Sequence, residues 1–539
     1  MTAHPAAAPT NGSAASPAAG PTAHAASSPV PGPAAGPALS PGLRRAASPS
    51  AVPAVGPAVS PAEALAFSYR QGPGKRLLGE QRAIDDAAPT TAFQPPPDAR
   101  GSTGTPLPGD LYELLAATPF PEPLHHPADP LGTALATAFG LQRREPDHQF
   151  PDHRATASGR ARHPVHVLLG GPGGIRRYLD PYRRALVDLT SPPPGQSADN
   201  RIRLVLAARY SDLPAGYGSL RFAVCEAELG VNLRAWAVTA EAFGVPGRIE
   251  ADSRPAKQLL ADAGPGRWSA PLSVALTAHR LGPAHPLPGT PPAPADPARF
   301  TTDDPDAEDC RALSRCRTSS PTGPLTGIPA HATAPGPSWA DVLWRRSAGR
   351  VPGRRYGFAL RPAPVAEPAL RDLLAWAAVP PPDTLLARIA ERIRRTVVLQ
   401  GVAGLPDGAY RLTDGRLTAH RPGPGLPARL EPGFGRPDGP DTGIALRHAS
   451  VLYVHSAEPA ALVEEFGPAA PALTAQWCGW AAHGLCLAAA AHGLVARPAR
   501  SYDEHHLQPL LGLDRKEVPV FMTVCGTPRY TGPLWDLRG

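Results

Sequence analysis

Apolar positions recur along the chain with two periods, and the two periods follow each other in the same order twice. In the first half, His166-Val167-Leu168-Leu169 is a short apolar run that predicts a strand. A Gly-Pro-Gly-Gly loop follows, then IRRYLDPYRRALVDL, a predicted hairpin turning at Asp180-Pro181. In the second half, Thr396-Val397-Val398-Leu399, a Gly/Pro loop and GAYRLTDGRLTAH repeat that pattern, with Asp414-Gly415 as a strong two-residue turn signal. Each half then changes to a helical period. Leu229, Leu233, Trp236, Ala240 and Phe243 form one apolar stripe, leaving Glu228, Arg234 and Glu241 for a polar surface and Gly244 as the stop. WCGWAAHGLCLAAAAHGL is apolar nearly all round and stops near Gly493, so a central, buried helix is expected. A further helix starting near Asp503 and a strand over Val518 to Val524 close the second half. The pattern predicts an α+β protein of two distantly repeated halves, each with a sheet and helices.

Composition sets the boundaries. Among 539 residues, 73 are proline and 53 glycine, so part of the chain is expected to stay unfolded. Residues 1–62 are almost wholly Ala, Pro, Ser and Gly, with Arg44 and Arg45 as the only charges, and read as a disordered tail. Residues 282–337 are the second biased stretch and read as a linker. The globular halves are then 63–281 and 338–539. No apolar run approaches the ~20 residues of a membrane span, and the N-terminus shows no secretory pattern. The six cysteines include no CxxC pair, which argues against a zinc site and for reduced thiols in the cytoplasm. The net charge of +7 comes from arginines scattered along the chain, not interleaved with aromatics, so nucleic acid is not an expected partner.

Four segments hold candidate chemistry. In SWADVLWRRSAGR, Ser338 is a cap for a short helix that delivers Arg345, Arg346 and Ser347 at its end, with Arg350 following. Guanidinium groups beside a hydroxyl suit a phosphate monoester; the same residues also make an ordinary basic helix end. In ARPARSYDEHH, a tight loop after the buried helix offers backbone N–H groups at Arg500 and Ser501 to a planar ligand, or simply joins two helices. In ATASGRARHPVHVLL, Ser158, Gly159, Arg162 and His163 precede a strand, with small residues that allow close backbone approach. In LPAGYGSLRFAVCEAELG, Tyr217 lies between two glycines and is a candidate acid or base. There is no serine-hydrolase elbow, P-loop, HExxH or strand-linked GxGxxG.

Taken in order, RRS at a helix end, the strand with GLPDGAYRL, the helix closing in HGL and PARSYDEHHLQPLLGL before a last strand resemble the flavin-dependent nitroreductase fold family over most of residues 337–530. The first half is similar to one branch, the peptide azoline dehydrogenases, through SGRARHP and the spacing of Tyr217-Gly218 to Glu228 and Gly230. The resemblance implies FMN at an interface between two nitroreductase-like domains, here forming an intramolecular pseudo-dimer. Arg345, Arg346, Ser347 and Arg350 would hold its phosphate; Arg500 and Ser501 would offer N–H groups near flavin N5; Ser158, Gly159, Arg162 and His163 would close over it. Each half lacks what the other keeps, which implies one complete site. The implied activity is oxidation of thiazolines or oxazolines in a ribosomally made precursor peptide, with Tyr217 and His163 as candidate catalytic groups and a cyclodehydratase complex as a possible partner. Gly216 stands where that branch has a lysine before the tyrosine. An NAD(P)H-dependent nitro or quinone reductase, or a flavin-free scaffold subunit, are the competing readings.

Overall fold

The computed structural model describes residues 59–70, 101–124, 128–144, 151–189, 201–263, 267–277, 281–288, 304–330, 336–346, 360–434, 445–529 and 535–536. The expected disordered tail lies almost entirely outside the described residues. In the first half the strands are β1 (Thr103–Pro106), β2 (Leu141–Arg144), β3 (Asp152–Arg154), β4 (Val165–Gly170), β5 (Arg176–Asp180), β6 (Ala185–Asp188), β7 (Ile202–Ala208), β8 (Gly247–Ile249), β9 (Leu272–Leu276) and β10 (His285–Pro286). In the second they are β11 (Leu360–Arg361), β12 (Arg394–Leu399), β13 (Gly408–Thr413), β14 (Arg416–Pro422), β15 (Val451–Ala457), β16 (Val495–Ala499), β17 (Val518–Pro528) and β18 (Trp535–Asp536).

The repeat read from the sequence holds strand for strand. Six neighbouring strands of the first sheet run β6-β5-β4-β7-β9-β8, and the second sheet runs β14-β13-β12-β15-β17-β16. Both predicted hairpins are present, and every pairing in the two sheets is antiparallel. A long helix connects the fourth and sixth strands of each series: Leu220–Ala242 after β7 and Ala470–Ala491 after β15. The architecture is the expected α+β, and one apolar core runs through both halves. The short strand β18 pairs with β2, so the chain's last described residues lie on the first half.

The two long helices cross with backbone against backbone. A Cβ on Gly230 would lie 1.9 Å from the carbonyl oxygen of Gln476, and one on Gly479 would lie 1.8 Å from that of Ala227. Only glycine permits such an approach. This crossing corrects one expectation. Glu228 and Arg234, assigned to a polar surface, are both buried. The helix has a sheet on one side and the second central helix on the other, so it has almost no solvent face. Arg234 is accommodated by stacking 4.7 Å from the Trp480 ring centroid and donating to the Trp376 carbonyl at 3.2 Å. Of the three, Glu241 is exposed, accepting from the N–H groups of Gly327 and Ile328.

The expected linker also differs. Within 282–337, β10 joins the first sheet and Pro305–Ser314 is a helix with Cys310 and Leu313 buried. Asp304 caps it and also receives two 2.6 Å hydrogen bonds from Arg221. Flanking proline-rich sequence hid this helix from a compositional reading.

Replacing Gly479 by alanine should force the two helices apart and cost about 3 kcal/mol, at the upper end of overpacking effects. Ala491→Gly, at the half-buried end of the same helix, should cost no more than about 1 kcal/mol. Urea unfolding of both variants measures the contrast; equal losses would refute the close crossing.

Candidate functional site between the two halves

Ser338 caps the helix Trp339–Arg345 as expected, accepting from the Asp341 N–H at 3.2 Å. The helix end splits the arginine pair. Arg345 faces solvent, 3.6 Å from Asp341. Arg346 turns inward, is buried, and donates from Nη2 to the carbonyl oxygen of Arg154 at 2.9 Å. Arg143 of β2 donates to the Trp344 carbonyl at 2.8 Å. The first half's β2–β3 pair thus clasps the end of a second-half helix. Ser347 and Arg350 lie outside the described residues.

Four residues beyond Arg154 begins the Ser158–His163 segment, whose His163 feels the charge of Arg346. It makes a 3-10 turn over Gly159–Ala161, and Ala161 and His163 have φ of 51° and 47°. Left-handed backbone at two non-glycine residues is strained and needs support. Glu228 supplies it from the first central helix: one carboxyl oxygen accepts from the Gly159 N–H at 2.8 Å and the Ser158 hydroxyl at 3.0 Å. The Ser158 hydroxyl in turn accepts from the His163 N–H at 2.7 Å. Burial pushes the Glu228 carboxyl up to about 8, against the lowering effect of those two hydrogen bonds and of Arg154. His163 is pushed well below the usual imidazole range, first by burial and then by the charges of Arg154, His153 and Arg346. Its ring is therefore neutral at pH 7.

Two buried guanidinium groups, Arg154 and Arg346, thus act on His163 where the halves meet, and Arg162, next to His163 in sequence, is buried as well. Among the described residues, His163 Nε2 and the second carboxyl oxygen of Glu228 are buried without a hydrogen-bond partner. A corner this rich in buried positive charge, with unmatched polar atoms beside it, fits a phosphate group.

Arg500 and Ser501 follow β16. The Arg500 side chain is 10% exposed and donates toward Tyr502, Glu504 and the Pro519 carbonyl at 3.3 to 3.4 Å. It lines a cavity of about 360 Å³, to which the first half contributes Ala223. The charge of Arg346 reaches His483 and Cys486, while that of Arg500 reaches Cys478. Eight residues of helix span about 12 Å, so the cationic corner and the cavity lie roughly two turns apart along one helix. That separation suits an elongated ligand with a phosphate at one end and a ring at the other. Tyr217 ends a 3-10 turn, is half-buried, and packs in one cluster with Ala223 without lining the cavity itself.

Arg346 is hydrogen-bonded to the Arg154 carbonyl and its charge reaches His163, Arg500 and Ser501 follow β16 after the second central helix, and Arg345 faces solvent. Sequence reasoning missed Arg154, which sits on a three-residue strand with no pattern of its own, and the supporting role of Glu228.

No family model matches the chain, and no curated protein matches it. Solved structures do. A "putative nitroreductase" of Anabaena variabilis aligns over 87% of this chain and 100% of its own, at 15% identity and a TM-score of 0.60. A second protein so described, from Ralstonia eutropha, covers 40% of this chain and 96% of its own at 20% identity and TM-score 0.26. The E. coli microcin synthetase McbBCD complex with truncated pro-MccB17 bound matches 38% of this chain and 77% of its own at 13% identity and TM-score 0.27. The two partial superpositions add nothing to the assignment, which rests on the first. The chain has the nitroreductase fold, twice over, as an intramolecular pseudo-dimer.

Glu228 makes stability depend on pH. Unfolded, it ionises near 4.5; folded, at about 8. Between these values the folded state binds the extra proton, so its stabilising contribution is complete below 4.5 and is lost as pH rises through 8. Glu228→Gln should remove that loss, making the variant relatively more stable at pH 8.5 than at pH 5. Urea midpoints at the two values check this; an unchanged difference would mean the carboxyl is already ionised in the folded chain.

Proposed function

We propose that the chain is an FMN-dependent oxidoreductase with one flavin per chain, and that it oxidises thiazoline or oxazoline rings of a ribosomally made precursor peptide to the azoles. The observation that carries the reading is the meeting of Arg346 with the Arg154 carbonyl and the His163 segment. It puts the helix-end arginine of one half against the loop of the other, as a shared cofactor site requires. FMN, when bound, supplies the hydride acceptor and passes the electrons to dioxygen.

The chain's own residues do the rest. Arg346, Arg154 and Arg162 offset the phosphate charge in a buried setting, where charge-assisted hydrogen bonds are strong. Ser347 and Arg350 complete that grip in this reading. Glu228 holds Ser158 and Gly159 in the strained turn that closes the corner. Ser501, after β16, presents its backbone toward the ring end. Tyr217, as its phenolate, takes the ring proton and becomes the phenol; Gly216 stands where a partner lysine would favour the phenolate. That replacement favours a second reading, a flavin-free scaffold subunit of a cyclodehydratase complex.

Purified protein should be yellow, with close to one FMN per chain; a colourless protein that takes up no added FMN would favour the scaffold. Arg346→Ala should weaken FMN binding about 10- to 100-fold, the loss of a charged hydrogen bond, as measured by fluorescence titration. Tyr217→Phe should retain flavin and lose azole formation on an azoline peptide, followed by the two-dalton mass change. Unchanged turnover would remove Tyr217 from the mechanism.

A further inference from the structure

The crossing of the two central helices sets a register between the halves. A Cβ on Gly230 would meet the carbonyl oxygen of Gln476, three residues before Gly479, and one on Gly479 would meet that of Ala227, three residues before Gly230. The contact is reciprocal, as across a twofold axis, so Gly230 and Gly479 are equivalent positions. In this register Arg221 and Phe222 match Ala470 and Pro471. Cys225 and Glu226 match Thr474 and Ala475. The sheets extend the match. With β4 laid on β12, His166 on Thr396, their partners Ala207 and Val454 coincide, which places Tyr210 on Ala457. The next strands, β9 and β17, then put Ala270 on Phe521. All six of these second-half residues line the cavity beside Arg500.

Their first-half counterparts meet the helix Pro305–Ser314 and its two ends. Arg221 donates to Asp304, ahead of the helix, through two 2.6 Å hydrogen bonds. Phe222 offers its backbone N–H to Cys310, and Cys225 lies within electrostatic reach of the same thiol. Glu226 accepts from the Ser314 hydroxyl at 2.7 Å; Tyr210, bonded to the same carboxyl at 2.8 Å, also reaches Ser314. Ala270 donates its N–H to the Ser314 hydroxyl at 2.8 Å, and its carbonyl accepts from Arg317 at 2.5 Å. The residue types agree with this occupancy. Where the second half has the small Ala470 and Ala475, the first has Arg221 and Glu226, buried charges that need the partners this segment supplies.

We infer that the helix Pro305–Ser314 is an intramolecular plug: it occupies the first half's copy of the cavity and closes that copy to any ligand. A segment that joins the two halves in sequence takes, in the first half, the place left open in the second. Polar contacts hold it at both ends, Asp304 with Arg221 and Ser314 with Glu226, so it can be released without disturbing either sheet. The plug rests on the repeat alone. Its consequence for flavin, one ring per chain where the repeat offers two places, rests on the oxidoreductase reading.

Asp304→Ala combined with Ser314→Ala removes both anchors in the full chain, and alkylation by N-ethylmaleimide, mapped by mass, reads the opening. Cys310 on the plug and Cys225 beneath it are both buried free thiols. In the double variant both should react about 100-fold faster than in the parent, the loss of hydrogen bonds to two charged groups. Cys478, Cys486 and Cys525, buried in the second half, should stay protected. Asp304→Asn alone, which keeps a helix cap and loses the charge pair, should show the same selectivity at about tenfold. Riboflavin, which carries the ring without the phosphate, should rise from close to one bound per chain in the parent to close to two in the double variant, by equilibrium dialysis. Three results would overturn the plug: Cys225 as protected as in the parent, all these thiols reacting together in both variants, or Cys225 opening while bound riboflavin stays at one. A parent that binds no riboflavin, beside a variant whose Cys225 opens, would refute the flavin reading and leave the plug standing.

Discussion

Everything in this chain's architecture is set by the crossing of two helices at Gly230 and Gly479. Where side chains intervene, helix axes stay 8 to 10 Å apart; here the backbones touch, with carbonyl oxygens of Ala227 and Gln476 occupying the space of the missing Cβ atoms. Contact that close fixes both distance and angle. Each half can then present loops to the other with little slack, as a site assembled from two halves needs. The buried polar groups around the crossing strengthen the register. Glu226 accepts from Tyr210 of the first half, Ser314 of the intervening helix and Gln476 of the second central helix, at 2.7 to 2.8 Å. A carboxylate satisfied by three separate segments holds them together only if all three are in place.

Much of this was legible in the sequence, because the strands and the second central helix follow simple periods. The hairpins at Asp180-Pro181 and Asp414-Gly415, the helix stops at Gly244 and Gly493, and the caps at Ser338 and Asp503 rest on local chemistry and appear where expected. What failed was burial on the first central helix. Its stripe of Leu229, Leu233, Trp236, Ala240 and Phe243 implied one wet face, yet Arg234 is buried between Trp376 and Trp480. A single helix's pattern cannot reveal a second helix packed on its polar side. The candidate site was legible in kind but not in contact. Arg346, the Ser158 segment and Glu228 were named from separate motifs, whereas the Arg154 carbonyl that receives Arg346 and the hydrogen bonds of Glu228 to Ser158 and Gly159 belong to tertiary geometry that leaves no local signature.

The two halves also show how a repeat departs from symmetry once it is a single chain. Identical subunits related by a twofold axis must place the same loop at both copies of a site. This chain has no such restriction. Its two sheets keep one strand order, but the helix ends have gone different ways. Arg346, ending Trp339–Arg345, turns into the cationic corner near Cys486. Ser68 and Tyr69, ending Pro61–Arg70, cover a cavity at the opposite end of the second central helix, beside Ala470 and Thr474. One helix thus holds charge at one end and an apolar roof at the other. Such a division of labour is open to a tandem protein and closed to a homodimer. It gives a physical reason why a chain built from two copies of one fold would concentrate its chemistry at one site instead of two.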